Sequence, residues 1–217
     1  MKIIKKVPHG NGHIYVYFMG IKIASYKPKH FVMGKNNVVK IPDNVDVQLK
    51  IFGNNNTVII EDTPLNPHVS ILIGMPGVEC NNCVFHMGKN CSIGSMQMWV
   101  GMREDGTKIE IGEDCMFSVG ISLFPSDAHA ILDDKGNVTN IGKHIKIGNH
   151  VWAGGYVTIC KNSEIADGCV IGTQSVVSGK FTEPNCILAG NPARVVKKNI
   201  TWDRRTAQEM LNKQNVF

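Results

Sequence analysis

Histidine is the residue of this chain best suited to proton transfer, and His129 has the most suggestive sequence context. The ordinary pKa of histidine lies near 6.5, so a neutral imidazole can accept a proton from a hydroxyl group near neutral pH. His129 follows Ser126, Asp127 and Ala128 and begins a segment, 129–140, that departs from the pattern around it. His129 is therefore a candidate general base, and Asp127 a candidate to orient the imidazole or contact a substrate.

Cysteine and histidine could also bind a metal, but their spacing does not favour it. Cys80 and Cys83 have the separation of a ligand pair, yet no second pair with matching spacing exists. The seven cysteines are an odd number, and reduced thiols are the simplest interpretation. We predict no metal site.

The positive charge of the chain is modest. Lys plus Arg number 23 against 18 Asp plus Glu, a formal net charge of +5. This balance suits an anionic small ligand but is too diffuse to predict nucleic-acid binding. A basic cluster near the C-terminus could contact phosphates, and it comprises Lys180, Arg194, Lys197 and Lys198.

The apolar composition predicts the elements that must position these groups. The chain has 24 Ile and 22 Val but only 7 Leu, together with 22 Gly. β-branched residues favour strands and glycine favours turns, so a mostly-β protein is expected and a helical bundle is excluded. No run of about 18 apolar residues could cross a membrane. The opening hexapeptide MKIIKK lacks the apolar core of a signal peptide, and we expect a cytoplasmic protein.

A six-residue repeat is the strongest pattern in the sequence. Seven consecutive blocks run from Ile141 to Thr182, and further blocks begin at Ile111 and Met87. An aliphatic or small residue opens most blocks, and the fifth place is small or β-branched, as at Cys91, Cys115 and Cys169. The period predicts a β-solenoid whose block-opening residues point inward and stack from coil to coil.

Four segments depart from the repeat. Residues 1–35 predict irregular N-terminal strands, 99–108 a loop, and 129–140 an excursion out of the coil. From Trp202 onward the sequence favours a short helix with Asp203 as its N-cap. We therefore expect one solenoid domain over 1–200 and a helical tail over 201–217.

Four segments of the chain have a more specific character than the repeat. They are IGEDCMFSVGISLFPSDAH (111–129), IGNHVWAGGYVTI (147–159), IGTQSVVSGKF (171–181) and AGNPARVVKKNITWDR (189–204). These segments resemble the hexapeptide-repeat acyltransferases, most closely the bacterial sugar and polysaccharide O-acetyltransferases. The resemblance implies an all-β fold, a left-handed parallel β-helix. It also implies acetyl transfer from acetyl-CoA to a hydroxyl of a sugar or surface polysaccharide, and a homotrimer with active sites between subunits.

The same resemblance assigns roles to individual residues. His129 is expected to be the catalytic base within a ternary complex, where no covalent enzyme intermediate is required, and Asp127 its neighbour. Trp152, Gly155 and Thr173 would line the acetyl-CoA groove, and Lys180, Arg194 and Lys197 would face its phosphates. The chain departs from the family in having Ala128 where glycine is usual and Ala153 where a bulkier aliphatic is usual. The segment VVSGKF is also one residue longer than usual, which affects the placing of Lys180.

Several alternatives remain open at the level of sequence. The acceptor could be the amine of a nucleotide sugar or the hydroxyl of an antibiotic, and a non-catalytic solenoid would need no base at all. A β-helix can also carry a carbonic anhydrase site, but His144 and His150 are six residues apart rather than the required five. Met96, Met98 and Trp99 are our candidates for burial between subunits.

Overall fold

The computed structural model describes residues 4–8, 14–19, 21–26, 29–63 and 68–214. These residues form a left-handed parallel β-helix with three faces, an antiparallel N-terminal sheet and a C-terminal helix. The predicted fold class is confirmed. No helix within the described ranges has the length and apolar character needed to span a membrane.

Four sheets contain all the described strands. The N-terminal sheet is antiparallel and comprises β1 (Ile4–Pro8), β2 (Ile14–Phe18) and β3 (Ile21–Tyr26). The first solenoid sheet comprises β4 (His30–Met33), β6 (Asp46–Phe52), β8 (His68–Ile73), β11 (Ser95–Gly101), β14 (Ile121–Phe124), β17 (Thr158–Cys160) and β20 (Val176–Val177). The second comprises β5 (Val38–Lys40), β7 (Thr57–Ile60), β9 (Val84–Met87), β12 (Lys108–Ile111), β15 (His144–Ile147), β18 (Glu164–Ile165) and β21 (Lys180–Phe181). The third comprises β10 (Ser92–Ile93), β13 (Met116–Phe117), β16 (Trp152–Ala153), β19 (Val170–Ile171), β22 (Ile187–Gly190) and β23 (Ala193–Lys197).

Stacked ladders of apolar side chains build the core of the solenoid. All pairings within its three sheets are parallel except that of β22 with β23, which closes the third sheet as a hairpin. Ile147, Ile159, Ile165 and Val177 open sequence blocks and are fully or almost fully buried, as the repeat predicts. Each inward side chain lies about 4.8 Å from its counterpart in the next coil, so apolar contacts run along the whole axis.

The fifth place of the repeat is also buried. Cys91, Cys115 and Cys169 have no exposed surface, and their predicted packing role is confirmed. Met96 and Met98 are likewise buried inside the coil, at 3% and 1% exposure. The prediction that these two methionines pack between subunits is therefore wrong, because β11 turns them inward. Trp99, the next residue after Met98, points outward.

The excursion is longer than the sequence suggests. Thr158 pairs with Val176, 18 residues on, whereas Ser122 pairs with Thr158 across 36 residues, so the coil with the excursion carries eighteen extra residues. Residues 131–139 are all exposed, and a bridge between Leu132 and Val138 makes the tip a hairpin. Ile141 is 67% exposed, so its predicted inward position is wrong: the chain regains the coil only near Lys143.

The C-terminal helix, α1 (Ala207–Gln214), is confirmed, but its predicted N-cap is wrong. Thr206 caps the helix: its hydroxyl accepts from the Glu209 amide at 3.2 Å, and the Glu209 carboxylate accepts from the Thr206 amide at 2.7 Å. This reciprocal pair is a capping box, which the sequence TAQE encodes. Asp203 instead binds Arg205, with 2.7 Å between Oδ2 and Nη2.

A strap formed by residues 200–206 ties the tail to the third face before the helix begins. The Trp202 ring stacks on His150 with 4.0 Å between centroids, and its indole donates to the His150 carbonyl at 2.8 Å. Arg204 donates to the carboxylate and carbonyl of Asp114 and to the carbonyls of Asn90 and Cys115. The strap therefore crosses several coils along the third face.

Other sequence expectations are confirmed in part. Within the described part of 1–35, irregular antiparallel strands are present, but β4 already belongs to the solenoid. The loop predicted over 99–108 is shorter than expected, because β11 continues to Gly101 and β12 begins at Lys108. His13, part of the predicted N-terminal strand, lies outside the described residues.

Candidate active site

His129 lies at the corner between the first and second faces, where the excursion leaves the coil. β14 ends at Phe124, the buried Pro125 and Ser126 follow, and the chain then turns outward. Ala128 adopts a φ of 61°, in the left-handed region that glycine favours, and its amide donates to the Ser126 hydroxyl at 2.9 Å. Alanine at this position therefore keeps the turn that glycine would make.

The imidazole of His129 is exposed and differs from most other histidines of the chain. His68, His86, His144 and His150 each lie within 2.9 Å of a carboxylate oxygen. The His129 ring makes no hydrogen bond or ion pair with any residue that the structure describes. A histidine without a carboxylate partner keeps both ring nitrogens available to a substrate.

Asp127 stabilises the root of the excursion rather than contacting the imidazole. Its Oδ2 accepts from the Lys161 ammonium group and, at 2.7 Å, from the Asn140 amide. Asn140 also donates to the His129 carbonyl at 2.8 Å, so the two ends of the excursion are joined beside the histidine. These hydrogen bonds, that of Lys161 first, hold the pKa of the Asp127 carboxyl below its ordinary value.

Trp152 lies on the third face, away from the His129 corner. It points outward from β16, pairs with Met116 and Val170, and is 37% exposed. Its ring centroid is 6.0 Å from that of Trp202, so the strap supports one edge of the indole. The remaining exposed surface could contact a ligand or another subunit.

Gly155 and Thr173 meet at a different corner, between the third and first faces. They occupy equivalent places in adjacent coils, and the Gln174 amide donates to the Gly155 carbonyl at 2.8 Å. The close approach depends on Gly154, where a Cβ would come within 2.8 Å of the Thr173 nitrogen. A Cβ on Gly155 would meet nothing nearer than 3.8 Å, which leaves room beside this corner.

The predicted phosphate-binding cations divide between two faces. Lys180 lies on the second face, 3.8 Å from Glu164. Arg194 and Lys197 are exposed on β23 at the free end of the third sheet. Neither residue forms an ion pair with a described residue, whereas Lys198 is bound to Glu183 at 2.7 Å.

A single chain thus brings some of the predicted site residues together and separates others. Gly155 joins Thr173, and His129 joins Asp127, but these pairs occupy corners at opposite ends of the strands of the first face. Sequence reasoning missed Lys161 and Asn140, which fix the root of the excursion. Asn140 could have been found as the far boundary of the irregular segment, whereas Lys161 carries no signal in the repeat.

The alternative metal sites, one with histidine ligands and one with Cys80 and Cys83, have no ligand cluster in the described residues. Within the described ranges, no three His, Cys, Asp or Glu side chains are arranged to hold a metal ion. Cys80 and Cys83 are fully buried in the core, and burial raises the pKa of both thiols. His144, in β15, and His150, at the corner before β16, are half-buried against Glu110 and Asp114.

Comparison with known proteins identifies the relatives of the chain. Residues 144–179 match the bacterial transferase hexapeptide (six repeats) family. The polysialic acid O-acetyltransferase of Neisseria meningitidis is 36% identical over 178 residues, covering 80% of this chain and 79% of that protein.

Two solved structures share the fold over most of the chain. The polysialic acid O-acetyltransferase OatWY superposes with a TM-score of 0.56 at 29% identity, covering 85% of this chain and 98% of the other. The polySia-specific acetyltransferase NeuO gives a TM-score of 0.58 at 29% identity, covering 84% and 92%. With its hexapeptide coils, its excursion and this extent of similarity, the chain belongs to the family of hexapeptide-repeat O-acetyltransferases.

Proposed function

We propose that this protein transfers the acetyl group of acetyl-CoA to a hydroxyl of an acidic surface polysaccharide, with His129 as the general base. The acceptor class is taken from the polysialic acid named in the similar proteins. The observation that carries the proposed chemistry is the exposed imidazole of His129 at the root of the excursion, which no described residue pairs with.

The reaction needs one base and no covalent enzyme intermediate. His129 accepts the proton of the acceptor hydroxyl as its oxygen attacks the thioester carbonyl carbon. The tetrahedral intermediate then expels the coenzyme A thiolate, which takes the proton from the imidazolium, and the acetyl ester leaves on the sugar. The thioester is already activated, so positioning the two substrates supplies most of the remaining rate enhancement.

Acetyl-CoA would lie along the corner formed by Gly155 and Thr173. Gly155 has no side chain to obstruct a pantetheine arm, and the backbone there can bind it. Trp152 would flank the acyl end of the donor. Arg194 and Lys197 suit phosphates because both are exposed cations that form no ion pair with a described carboxylate. Lys180 is a weaker candidate, since Glu164 faces it.

A complete site would need two copies of the chain. His129 occupies one corner of the solenoid, while the proposed donor residues occupy another corner and the third face. In a homotrimer, a corner of one subunit can meet a different corner of its neighbour, because ring assemblies use heterologous interfaces. We propose that the donor groove and the base come from adjacent subunits.

The proposed function is tested by following labelled acetyl groups. The purified protein is incubated with labelled acetyl-CoA and, in parallel, polysialic acid, a neutral polysaccharide, an amino sugar nucleotide and an antibiotic alcohol. We expect label on polysialic acid as an ester that mild base releases. A base-stable amide on the amino sugar, transfer to the antibiotic alone, or no transfer to any acceptor would contradict the proposal.

A further inference from the structure

An outward-facing ladder of side chains on the first sheet passes beside the corner where His129 lies. It runs along the solenoid axis through consecutive coils, in the order Lys50, Leu72, Trp99, Phe124 and Cys160. Phe124 is the last residue of β14, five residues before His129, and Cys160 precedes the Lys161 that binds Asp127. We call these five residues the outer ladder.

The centre of the outer ladder is an aromatic surface. The Trp99 and Phe124 rings contact each other edge to face, with 5.3 Å between centroids and an interplanar angle of 72°. Trp99 is 39% exposed because it points outward, while its strand neighbours Met98 and Val100 point into the core. An exposed indole braced by a second ring presents a rigid apolar face, which is the surface that the C–H groups of a sugar ring pack against.

The charges beside the aromatic pair suit an anionic ligand. Lys50 is exposed at the start of the outer ladder and forms no ion pair with a described residue. Arg103, exposed at the corner that follows β11, also forms none, although Glu104 and Asp105 follow it directly in the sequence. Asp127, three residues after Phe124 at the other end of the outer ladder, is paired with Lys161. The outer ladder therefore combines an apolar centre with a lysine that has no carboxylate partner among the described residues.

The length of the ladder exceeds one sugar ring. Lys50 and Phe124 are three coils apart, and a spacing of about 4.8 Å per coil separates them by about 14 Å.

We propose that the outer ladder is an extended acceptor subsite, in which an acidic polysaccharide lies along the axis. A sugar ring packs on Trp99 and Phe124, a carboxylate pairs with Lys50, and the acetylated unit reaches His129. This inference rests on the proposed function and adds to it where and how the polymer binds.

Steady-state kinetics with acceptors of increasing length test the subsite. With the wild type, we expect the Michaelis constant to fall from single sialic acid through short oligomers to polysialic acid. In Trp99→Ala the constant for the polymer should rise roughly three- to thirtyfold, since a lost stacking contact has this order of effect. The constants for single sialic acid and acetyl-CoA should not change. Trp99→Phe should retain most of the polymer affinity.

Two charge variants give a matched comparison that does not disturb packing. Lys50→Gln should raise the Michaelis constant for polysialic acid at low salt, and this effect should shrink as salt rises. Lys40→Gln, on the outward side of β5 on the second face, should leave the constant unchanged. Equal effects of the two variants would overturn the inference.

Direct binding of unreacted polysialic acid separates failure of the subsite from failure of the proposed function. If the wild type acetylates single sugars but shows no dependence on length or on Trp99, the subsite is wrong and the function stands. If the polymer binds through Trp99 and Lys50 but accepts no acetyl group, the function is wrong and the subsite stands. A change of oligomeric state in Trp99→Ala or Trp99→Phe would make Trp99 a subunit contact and overturn the inference.

Discussion

At the scale of single residues, carboxylate partners distinguish the histidines of this protein. His86 and His144 lie 2.9 and 2.8 Å from glutamate oxygens on the second face, where each ring is held by a carboxylate. His129 has no such partner in the described part of the chain, and the hydrogen bonds around it are made by its backbone and by Asp127. The surrounding residues thus fix the backbone of His129 and leave its ring to a substrate.

Replacing His129 with alanine should affect turnover and not donor binding. We expect His129→Ala to lower kcat roughly 10²–10⁴-fold, because general bases contribute about this much, with little change in the Michaelis constant for acetyl-CoA. His144→Ala is the matched control and should keep its activity. A fall of less than about tenfold in His129→Ala would mean that another group is the base.

The ion pair at the root of the excursion predicts a pH-dependent stability. Because Lys161 and Asn140 lower the pKa of Asp127, the stabilisation is present above the ordinary pKa of aspartate, near 3.9, and is lost as pH falls through the lower folded-state value. Asp127→Asn should cost less than about 1 kcal/mol at pH 7, since the carboxylate is 39% exposed, and less still near pH 3.

Urea unfolding at the two pH values measures this difference. Asp134→Asn, in the exposed part of the same excursion, is the control and should leave the urea midpoint unchanged at both. An Asp127→Asn effect of equal size at both pH values would show that its charge is not the source.

At the scale of elements, the six-residue period predicted most of the solenoid but not its interruptions. Ile147, Ile159 and Ile171 point inward as the pattern predicts. Each lies on a different face, and a coil of 18 residues places the equivalent residue of the next coil on that same face. Ile141 fits the letter pattern but is exposed, since the chain there has not yet rejoined the coil. The Asp127–Lys161 pair could not be predicted, because it joins residues 34 apart through coil stacking.

The exposed cations of the β22–β23 hairpin are expected to bind the phosphates of the donor. Arg194→Ala and Lys197→Ala should each raise the Michaelis constant for acetyl-CoA roughly two- to tenfold, with the acceptor constant little changed, because each removes an exposed cation facing a phosphate. Rising salt should reduce the effect. Lys198→Ala should behave like the wild type, since Glu183 already neutralises Lys198. Loss of turnover with unaltered donor binding would place the hairpin at the acceptor instead.

At the scale of the whole molecule, the separated corners predict a shared active site. We expect the protein in solution to have three times the 23.9 kDa mass of one chain, as measured by light scattering. His129→Ala and Trp152→Ala should each be inactive as pure trimers. When the two are co-expressed, random assembly should restore about a quarter of the sites, because an intact site then takes His129 and Trp152 from different subunits.

Two results would contradict this arrangement. A monomeric mass with full activity would mean that one chain contains a complete site. If the co-expressed variants assemble as trimers but show no more activity than the two pure variants added together, His129 and Trp152 act in a site within one subunit.

The strap that joins Trp202 and Arg204 to the third face has a consequence for how this protein can change in length. A solenoid can gain or lose a whole coil with little disturbance, because each coil contacts only its neighbours. Here Arg204 reaches Asn90 and Asp114 while Trp202 stacks on His150, so the tail spans a fixed number of coils. Inserting one coil between Asp114 and His150 would move these anchors about 4.8 Å further apart and break the strap. Duplication or deletion of a coil should therefore be tolerated before Asn90 and selected against between Asp114 and His150.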